Sequence, residues 1–494
     1  MQLTSLAFLF GFFPIVLGLY QLLLHFHVRP KWRNLFLVAA SLLFYAFGSL
    51  KSLFVLVFIL LWNWTCAGRI AGQQKNLAVE SESDSAWEAP DSSLPQAGMQ
   101  GRFFTGTRDV LILCIGVNLL LLFLYKYMDS WLGGLAGLFH QPDLLPALVM
   151  PVGLSFYVFS SLSYVLDVYR QKAAACSLVD FALFAAFFAR VNMGPIGHYA
   201  RFCDQLDNHP ATPSRRKSGS ALFFQGLAYK VILADNFAAV FQGLNANTSW
   251  LGNLLCGFAY FFELYFDFAG YSRMARGVSL WFGFDIPPNF NKPYQALSVQ
   301  DFWRRWHISL TDWFRDYVYI PLGGNRVSAS RWILNILIVW LLTGLWHGST
   351  LPFLFWGLWQ AILILAEKFW LGNILKRIPA FFQHAWVVIS QLLGWTLFFS
   401  QDIAGAFGRI GRYFGAGISG LANQEAGFWL VQSMILFVLG ILCCSSVFEN
   451  TSSLFQKSRL KKQVLGAAGY GLLFLVCLAL LISQTSQTFL YAVF

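Results

Sequence analysis

Residues 332–348 of the chain read WILNILIVWLLTGLWHG. No charged side chain interrupts the run from Trp332 to Leu345, and a histidine, His347, follows just after it. A run of this length and apolarity is long enough to cross the hydrocarbon part of a bilayer as a helix. The stretch therefore predicts a membrane helix that carries an ionisable side chain at one end.

The whole chain has the same character. Of its 494 residues, 57% are hydrophobic and 12% are charged, and the mean hydropathy is +0.57. Soluble domains carry about 25% charged residues, so no soluble core could bury this much apolar surface. We predict an all-α polytopic membrane protein with about 11–12 transmembrane helices plus re-entrant or interfacial helices. The candidate spans are residues 4–24, 34–49, 52–68, 109–128, 144–168, 177–196, 219–243, 251–283, 332–348, 352–368, 381–400, 427–446 and 464–484.

The net charge of +11 comes from short basic loops between the apolar runs. Positive loops of membrane proteins lie in the cytoplasm, which explains this charge better than nucleic-acid binding does. The basic loops are Arg29, Lys31 and Arg33; Arg215, Arg216 and Lys217; Lys368, Lys376 and Arg377; and Lys457, Arg459, Lys461 and Lys462. With these loops inside, the N-terminus, the turn after His347 and the tail 489–494 face out. We expect a multi-pass membrane protein with its basic loops in the cytoplasm.

Within a single membrane domain spanning residues 1–494, one segment differs in composition. Residues 70–108 are rich in Ser, Glu, Asp and Pro, which predicts a flexible polar loop, placed in the cytoplasm. The eight cysteines form no CxxC pair, and we expect neither a metal site nor a tightly bound cofactor.

Polar residues at membrane depth are costly and so mark candidate functional sites. Glu263 and Asp267 lie four residues apart and share one face of a predicted helix. They can line a polar path or orient a catalytic base, or they can pair with a cation that holds helices together. Residues 285–330 are too polar for a lipid-facing span but rich in Trp and Phe, which indicates an amphipathic or re-entrant segment on the cytoplasmic side. Four of its side chains are candidates to bind the anionic phosphates of a donor molecule such as coenzyme A or a phosphopantetheine arm. They are Arg304, Arg305, Arg315 and Asn291.

His347 and His307 are the candidate catalytic residues. At the end of an apolar run, His347 is desolvated, which favours the neutral imidazole that can take a proton from a hydroxyl. Taken alone, either histidine is more simply a packed side chain bonded to a backbone carbonyl.

Several segments of the sequence match the sequence motifs of a known protein family. They are Pro151–Tyr157 (PVGLSFY), Ser163–Arg170 (SYVLDVYR), Gly194-Pro195-Ile196, Asp267–Ser272 (DFAGYS), the block 289–326 and Trp346-His347-Gly348. Together they resemble the membrane-bound O-acyltransferase (MBOAT) family. The likeness is greatest to its bacterial branch of alginate O-acetyltransferase-like proteins and D-alanyl transfer proteins of teichoic acid.

This resemblance implies helices around a central tunnel, with His347 as the catalytic histidine and His307 at the second characteristic position. Trp346 and Asp267 would support them. It also implies a cytoplasmic acyl donor, either acetyl-CoA or a phosphopantetheine thioester on an acyl carrier protein, and an acceptor on the far side. In the C-terminal aromatic tail, Tyr491 either anchors the chain at the membrane interface or relays the acyl group to an SGNH-like acyltransferase partner on the extracytoplasmic side.

The expected reaction is therefore transfer of an acyl group, acetyl first, for O-acylation of a cell-envelope or secreted polysaccharide. Two alternatives stay open. One is D-alanyl transfer from a carrier protein to teichoic acid or a similar polymer. The other is export of an acyl donor without chemistry, which the lack of an inverted repeat disfavours.

Overall fold

The computed structural model describes residues 1–85, 106–128, 148–447, 459–483 and 489–490. Within these ranges the regular secondary structure is helical, and no strand occurs. The described chain divides into two compact units. The N-terminal unit contains residues 14–192 and 196–209, and the site unit contains residues 2–13, 193–195 and 210–494.

The N-terminal unit consists of eight helices in the described residues. They are α1 (Phe13–His25), α2 (Pro30–Ala46), α3 (Leu50–Ser85), α4 (Thr107–Lys126), α5 (Leu154–Tyr169), α6 (Leu178–Ala186), α7 (Tyr199–Phe202) and α8 (Asp204–Asp207).

Two sequence-based boundaries in this unit need correction. The segment from residue 70 onward does not begin as a loop, because α3 continues to Ser85. Its Gln, Lys and Glu residues are polar yet good helix formers, and its Ala residues also favour a helix. Residues 86–105 of the predicted loop lie outside the described residues. The helix predicted for 177–196 ends at Ala186, where the Arg190 guanidinium donates to the carbonyl of Phe184 and so satisfies a carbonyl of the last turn.

The site unit contains most of the long helices. They are α9 (Pro213–Ala228), α10 (Asp235–Leu244), α11 (Trp250–Trp281), α12 (Val299–Arg305), α13 (Ile308–Phe314), α14 (Ala329–His347), α15 (Leu351–Ala366), α16 (Gly372–Leu375), α17 (Ala380–Phe399), α18 (Ile403–Tyr413), α19 (Gln424–Cys444) and α20 (Arg459–Ser483). Short π-helical turns join some of them, at Tyr229–Ala234 between α9 and α10 and at Glu367–Leu371 between α15 and α16.

Seven helices of the described chain are long and apolar enough to cross a membrane. They are Ala7–His25, Leu50–Leu77, Thr107–Lys126, Ala329–His347, Leu351–Leu375, Gln424–Cys444 and Gly466–Ser483. The remaining candidate spans of the sequence analysis fall on helices that are shorter or more polar. The protein is therefore an all-helical polytopic membrane protein, and a total of 11–12 spans remains a prediction.

Candidate active site

His347 lies at the last residue of α14 and is 3% exposed. Its ring centre is 4.7 Å from that of Trp346, 5.0 Å from that of Trp356 and 5.0 Å from that of Phe398. Trp356 and Phe398 belong to α15 and α17. Aromatic rings from three helices thus enclose the imidazole and keep bulk water from it.

Glycine makes this enclosure possible, because α14 and α15 approach more closely than side chains would allow. A Cβ at Gly344 would lie 2.5 Å from the carbonyl oxygen of Phe353, and one at Gly357 would lie 2.4 Å from that of Trp340. Small residues let membrane helices pack backbone to backbone. The contact fixes the end of α14, and with it His347.

His307 occupies the junction between α12 and α13, with a left-handed backbone (φ 43°) and 1% exposure. Its Nδ1 lies 3.3 Å from Asn289 Oδ1. The same oxygen accepts hydrogen bonds from the backbone N–H of Ser309 at 3.1 Å and from the Ser309 hydroxyl at 2.9 Å. A backbone N–H can only donate, so this atom of Asn289 must be the amide oxygen, and His307 Nδ1 must carry the proton.

The neutral His307 ring therefore presents a lone pair at Nε2. Burial lowers the pKa of His307 to about 3, so the ring stays neutral at physiological pH. On its other side the ring meets Phe268 edge to face, with 4.6 Å between centres.

Both histidines contact Trp346, which brings three of the predicted residues into one cluster. The ring centre of Trp346 lies 6.1 Å from that of His307. It lies 4.7 Å from the ring centre of His347, the next residue in the chain. Although the two histidines are forty residues apart in sequence, the fold brings both of their rings next to the same indole.

The position of α12 is set by buried polar contacts from α15 and the turn after it. The Glu367 carboxylate accepts from the backbone N–H groups of Val299 (2.7 Å) and Gln300 (3.0 Å), which caps the start of α12. The indole of Trp303 donates to Gln360 Oε1 at 3.0 Å. The predicted polar segment is thus packed inside the site unit with most of its aromatic side chains buried.

Asp267 takes part in a buried ion triad. Lys230 Nζ lies 2.7 Å from Asp267 Oδ1 and 2.8 Å from Asp235 Oδ1. Lys230 and Asp235 are five residues apart, and the π-helical turn Tyr229–Ala234 brings residues at this spacing together. Of the two roles considered for Asp267, the structure shows pairing with a cation that joins two helices.

The same triad receives the end of the chain. Asp267 Oδ2 accepts from the backbone N–H of Leu490 at 2.9 Å. The ring of Phe489 is 2% exposed, with its centre 4.6 Å from Lys230 Nζ and 5.2 Å from the ring centre of Tyr271. Tyr491 lies outside the described residues.

Two of the predicted donor-binding arginines, Arg304 and Arg315, line one cavity of 680 Å³, which we call the Arg304 cavity. Lys368 and Thr343 also line it, and Thr343 is one helical turn before His347. Arg305 instead pairs with Asp301 at 2.9 Å, and the backbone of Asn291 bonds to the carbonyl of Arg305. Among the described residues no group of three or more His, Cys, Asp or Glu side chains could hold a metal ion.

The sequence pattern of the membrane-bound O-acyltransferase family matches residues 117–400, a stretch that contains the histidine–tryptophan cluster. The chain belongs to this family. It is an acyltransferase of the membrane, as the resemblance predicted.

Two relatives match most of the chain, and a third matches about half of it. It is 34% identical to a probable alginate O-acetylase of Pseudomonas aeruginosa over 89% of this chain and 82% of the relative. It is 30% identical to a peptidoglycan O-acetyltransferase of Helicobacter pylori over 81% of this chain and 77% of the relative. A teichoic acid D-alanyltransferase of Bacillus subtilis is 32% identical over 47% of this chain and 61% of the relative.

Sequence reasoning missed two residues of this MBOAT site. Asn289 is the first residue of the block 289–326, and nothing in its spacing predicts that it fixes the tautomer of His307. Lys230 had a usable signal, because it is a lone cation inside the apolar run 219–243.

Proposed function

We propose that this enzyme moves an acetyl group from a cytoplasmic thioester across the bacterial inner membrane for O-acylation of an envelope polysaccharide. The observation that carries the proposal is the buried cluster of His307, Trp346 and His347 at the end of α14. It combines a candidate base, a second neutral imidazole and an aromatic enclosure in a family of acyltransferases.

In the proposed reaction, a ring nitrogen of His347 takes the proton of the acceptor hydroxyl. The hydroxyl oxygen then bonds to the thioester carbonyl carbon, the carbon–sulfur bond breaks, and the imidazolium returns its proton to the leaving thiolate. The aromatic enclosure favours transfer because it keeps competing water away from the thioester.

The tautomer of His307 narrows its proposed role. A neutral ring with its proton on Nδ1, held by Asn289, offers Nε2 as an acceptor. An acceptor can orient a hydroxyl or an amide N–H of the donor arm, but it cannot donate to a developing oxyanion. We therefore assign His307 to positioning of a substrate, not to oxyanion stabilisation.

The donor is proposed to enter through the Arg304 cavity. Arg304 and Lys368 offer charged donors for phosphate groups. Arg315 already pairs with Asp312 at 2.7 Å and with Asp316 at 2.8 Å, so fewer of its N–H groups remain for a phosphate. Thr343 brings the cavity wall to within a turn of His347. Both acetyl-CoA and the phosphopantetheine arm of a carrier protein combine a phosphate with a long thioester arm. Asn291, on the exposed side of the same segment, is retained as a candidate contact to the donor.

The identity of the acceptor is inferred from the relatives, and the route to it from the C-terminal tail. Relatives that match most of the chain act, by their names, on alginate and on peptidoglycan. Tyr491 follows directly after the anchored residues Phe489 and Leu490, so its hydroxyl is a candidate relay to an extracytoplasmic, SGNH-like transferase.

D-alanyl transfer is the second candidate, favoured by the teichoic acid D-alanyltransferase relative, although that match spans less of the chain. Mass spectrometry of envelope polysaccharides from cells with and without the gene separates the two. An added mass of about 42 Da that depends on the gene supports acetyl transfer, and one of about 71 Da supports D-alanyl transfer. No gene-dependent ester on any polymer would contradict both.

A further inference from the structure

Beside His347, the proposed reaction requires a hydrogen-bond donor to the carbonyl oxygen of the thioester. Negative charge gathers on this oxygen when the acceptor oxygen attacks the carbonyl carbon, and a donor fixed there stabilises the transition state. Neither assigned histidine is that donor, because His347 acts as the base and Nε2 of His307 can only accept. A further side chain next to the His347 ring is therefore needed.

The indole of Trp356 has an unused donor at this place. The side chain is 1% exposed, and its ring centre lies 5.0 Å from that of His347. Its Nε1 is buried and has no hydrogen-bond partner among the described residues. An indole N–H can only donate, so what this atom lacks is an acceptor.

Neighbouring indoles show that the packing of the site unit can satisfy such donors. The indole of Trp303 donates to Gln360 Oε1 at 3.0 Å, and that of Trp359 donates to the carbonyl of Ser390 at 3.0 Å. A buried N–H without a partner is rare in folded proteins, and a bound substrate can supply the missing acceptor.

Trp356 also lies on the route from the Arg304 cavity to the imidazole. Trp303 and Trp340 line that cavity. The ring centre of Trp356 is 5.8 Å from that of Trp303 and 6.2 Å from that of Trp340. A thioester arm that reaches His347 from the cavity therefore passes along the Trp356 ring.

Close packing fixes the position of this ring. The next residue, Gly357, lies so near to α14 that a Cβ there would be 2.4 Å from the carbonyl oxygen of Trp340. The Trp356 ring centre is 5.3 Å from that of Phe398 and 6.0 Å from that of Trp395, both on α17. A donor held in this way needs no reorganisation during the reaction.

We propose that Nε1–H of Trp356 binds the thioester carbonyl oxygen and stabilises its negative charge during transfer. This role rests on the acyl transfer proposed above. As the acceptor oxygen bonds to the carbonyl carbon, the π electron pair of the C=O bond moves onto the carbonyl oxygen, which accepts the hydrogen bond from Trp356. The pair then forms the C=O bond again, the carbon–sulfur bond breaks, and the thiolate takes the proton held by His347.

Turnover of acetyl-CoA by the purified full-length enzyme tests this role. Trp356→Phe keeps an aromatic ring but removes the donor, so kcat should fall by about 10²–10³-fold while KM for acetyl-CoA changes by no more than a few fold. Incorporation of 3-benzothienylalanine at position 356 replaces the N–H with sulfur in a ring of nearly the same shape. It should give the same loss, and it provides the test if the smaller Phe ring prevents folding.

Two other indoles serve as controls. Trp359→Phe removes an N–H from the same helix whose partner is the carbonyl of Ser390, and kcat should stay within a few fold of wild type. Trp395→Phe removes the N–H of an equally buried ring that packs on Trp356, and kcat should again stay within a few fold. A loss of kcat in Trp395→Phe as large as that in Trp356→Phe would overturn the proposal.

An infrared readout separates a hydrogen bond from packing alone. Acetyl-CoA labelled with carbon-13 at the carbonyl, bound to inactive His347→Ala, should absorb at lower wavenumber than when it is bound to the same variant with Trp356→Phe added. An unchanged wavenumber, or undiminished kcat in folded enzyme without the donor, would overturn the proposal. A wild type that consumes no acyl thioester would instead contradict the acyl transfer itself, and the role of Trp356 with it.

Discussion

The substitution Asn289→Asp probes the link between Asn289 and His307 through pH. Asp keeps the shape of Asn and still accepts from Ser309, but it places a carboxylate 3.3 Å from His307 Nδ1. Two unit charges at that distance attract by about 5 kcal/mol at an effective dielectric constant of about 20. Since 1.36 kcal/mol corresponds to one pKa unit, this attraction would raise the pKa of His307 from about 3 to about 7.

The consequence for activity has a definite sign. Below that apparent pKa, which belongs jointly to the introduced carboxylate and His307, the ring gains a proton and loses the Nε2 lone pair. The ratio of wild-type to variant rate should therefore rise about tenfold for each pH unit below about pH 7 and level off above it. Taking the ratio cancels the titration of His347, which both proteins share.

The assay is consumption of the donor thioester by purified enzyme between about pH 5.5 and about pH 9. Asn208→Asp makes the same chemical change at an exposed residue and should give a constant ratio. A ratio for Asn289→Asp that does not vary with pH, in protein that elutes and melts like wild type, would refute the assigned tautomer and the positioning role of His307.

Three further substitutions test other parts of the structure. Lys230→Met leaves the buried carboxylates of Asp235 and Asp267 without their cation and should lower the free energy of unfolding in detergent by about 3–5 kcal/mol. Replacing both aspartates with Asn in the same variant should restore much of that stability. An unchanged melting temperature of Lys230→Met would argue against the ion triad. Gly344→Ala pushes α14 away from α15 and should lower the free energy of unfolding by about 1–3 kcal/mol and reduce activity. Gly408→Ala, with no atom within 4 Å of the added Cβ, should change neither stability nor activity. Equal stability of the two variants would contradict the close helix contact. Tyr491→Phe should stop acylation of the polymer at unchanged protein level, and polymer acylated as in wild type would exclude the hydroxyl relay.

Apolar runs predict the membrane helices well, because bilayer thickness alone sets their length. Helix ends are harder. The extension of α3 to Ser85 depends on helix-forming polar residues that composition alone assigns to a loop. The end of α6 depends on a side chain, Arg190, that reaches back to a carbonyl, which no periodicity reveals.

The site divides in the same way. Family motifs single out His307 and His347, but their shared contact with Trp346 depends on how α12 and α13 fold back into the bundle. The pairing of Lys230 with Asp235 is hidden for a different reason. In an α-helix, residues five apart point about 140° away from each other, so only the π-helical turn brings them together.

The most direct test of acyl transfer at His347 is the ester content of envelope polysaccharide in cells that express His347→Ala or wild type at equal membrane levels. General-base catalysis contributes about 10²–10⁴-fold, so the account predicts ester content at background. The control His384→Ala, which removes a half-buried imidazole outside the cluster, should keep wild-type ester content. Wild-type ester content in His347→Ala would contradict the assignment of His347 as the catalytic base.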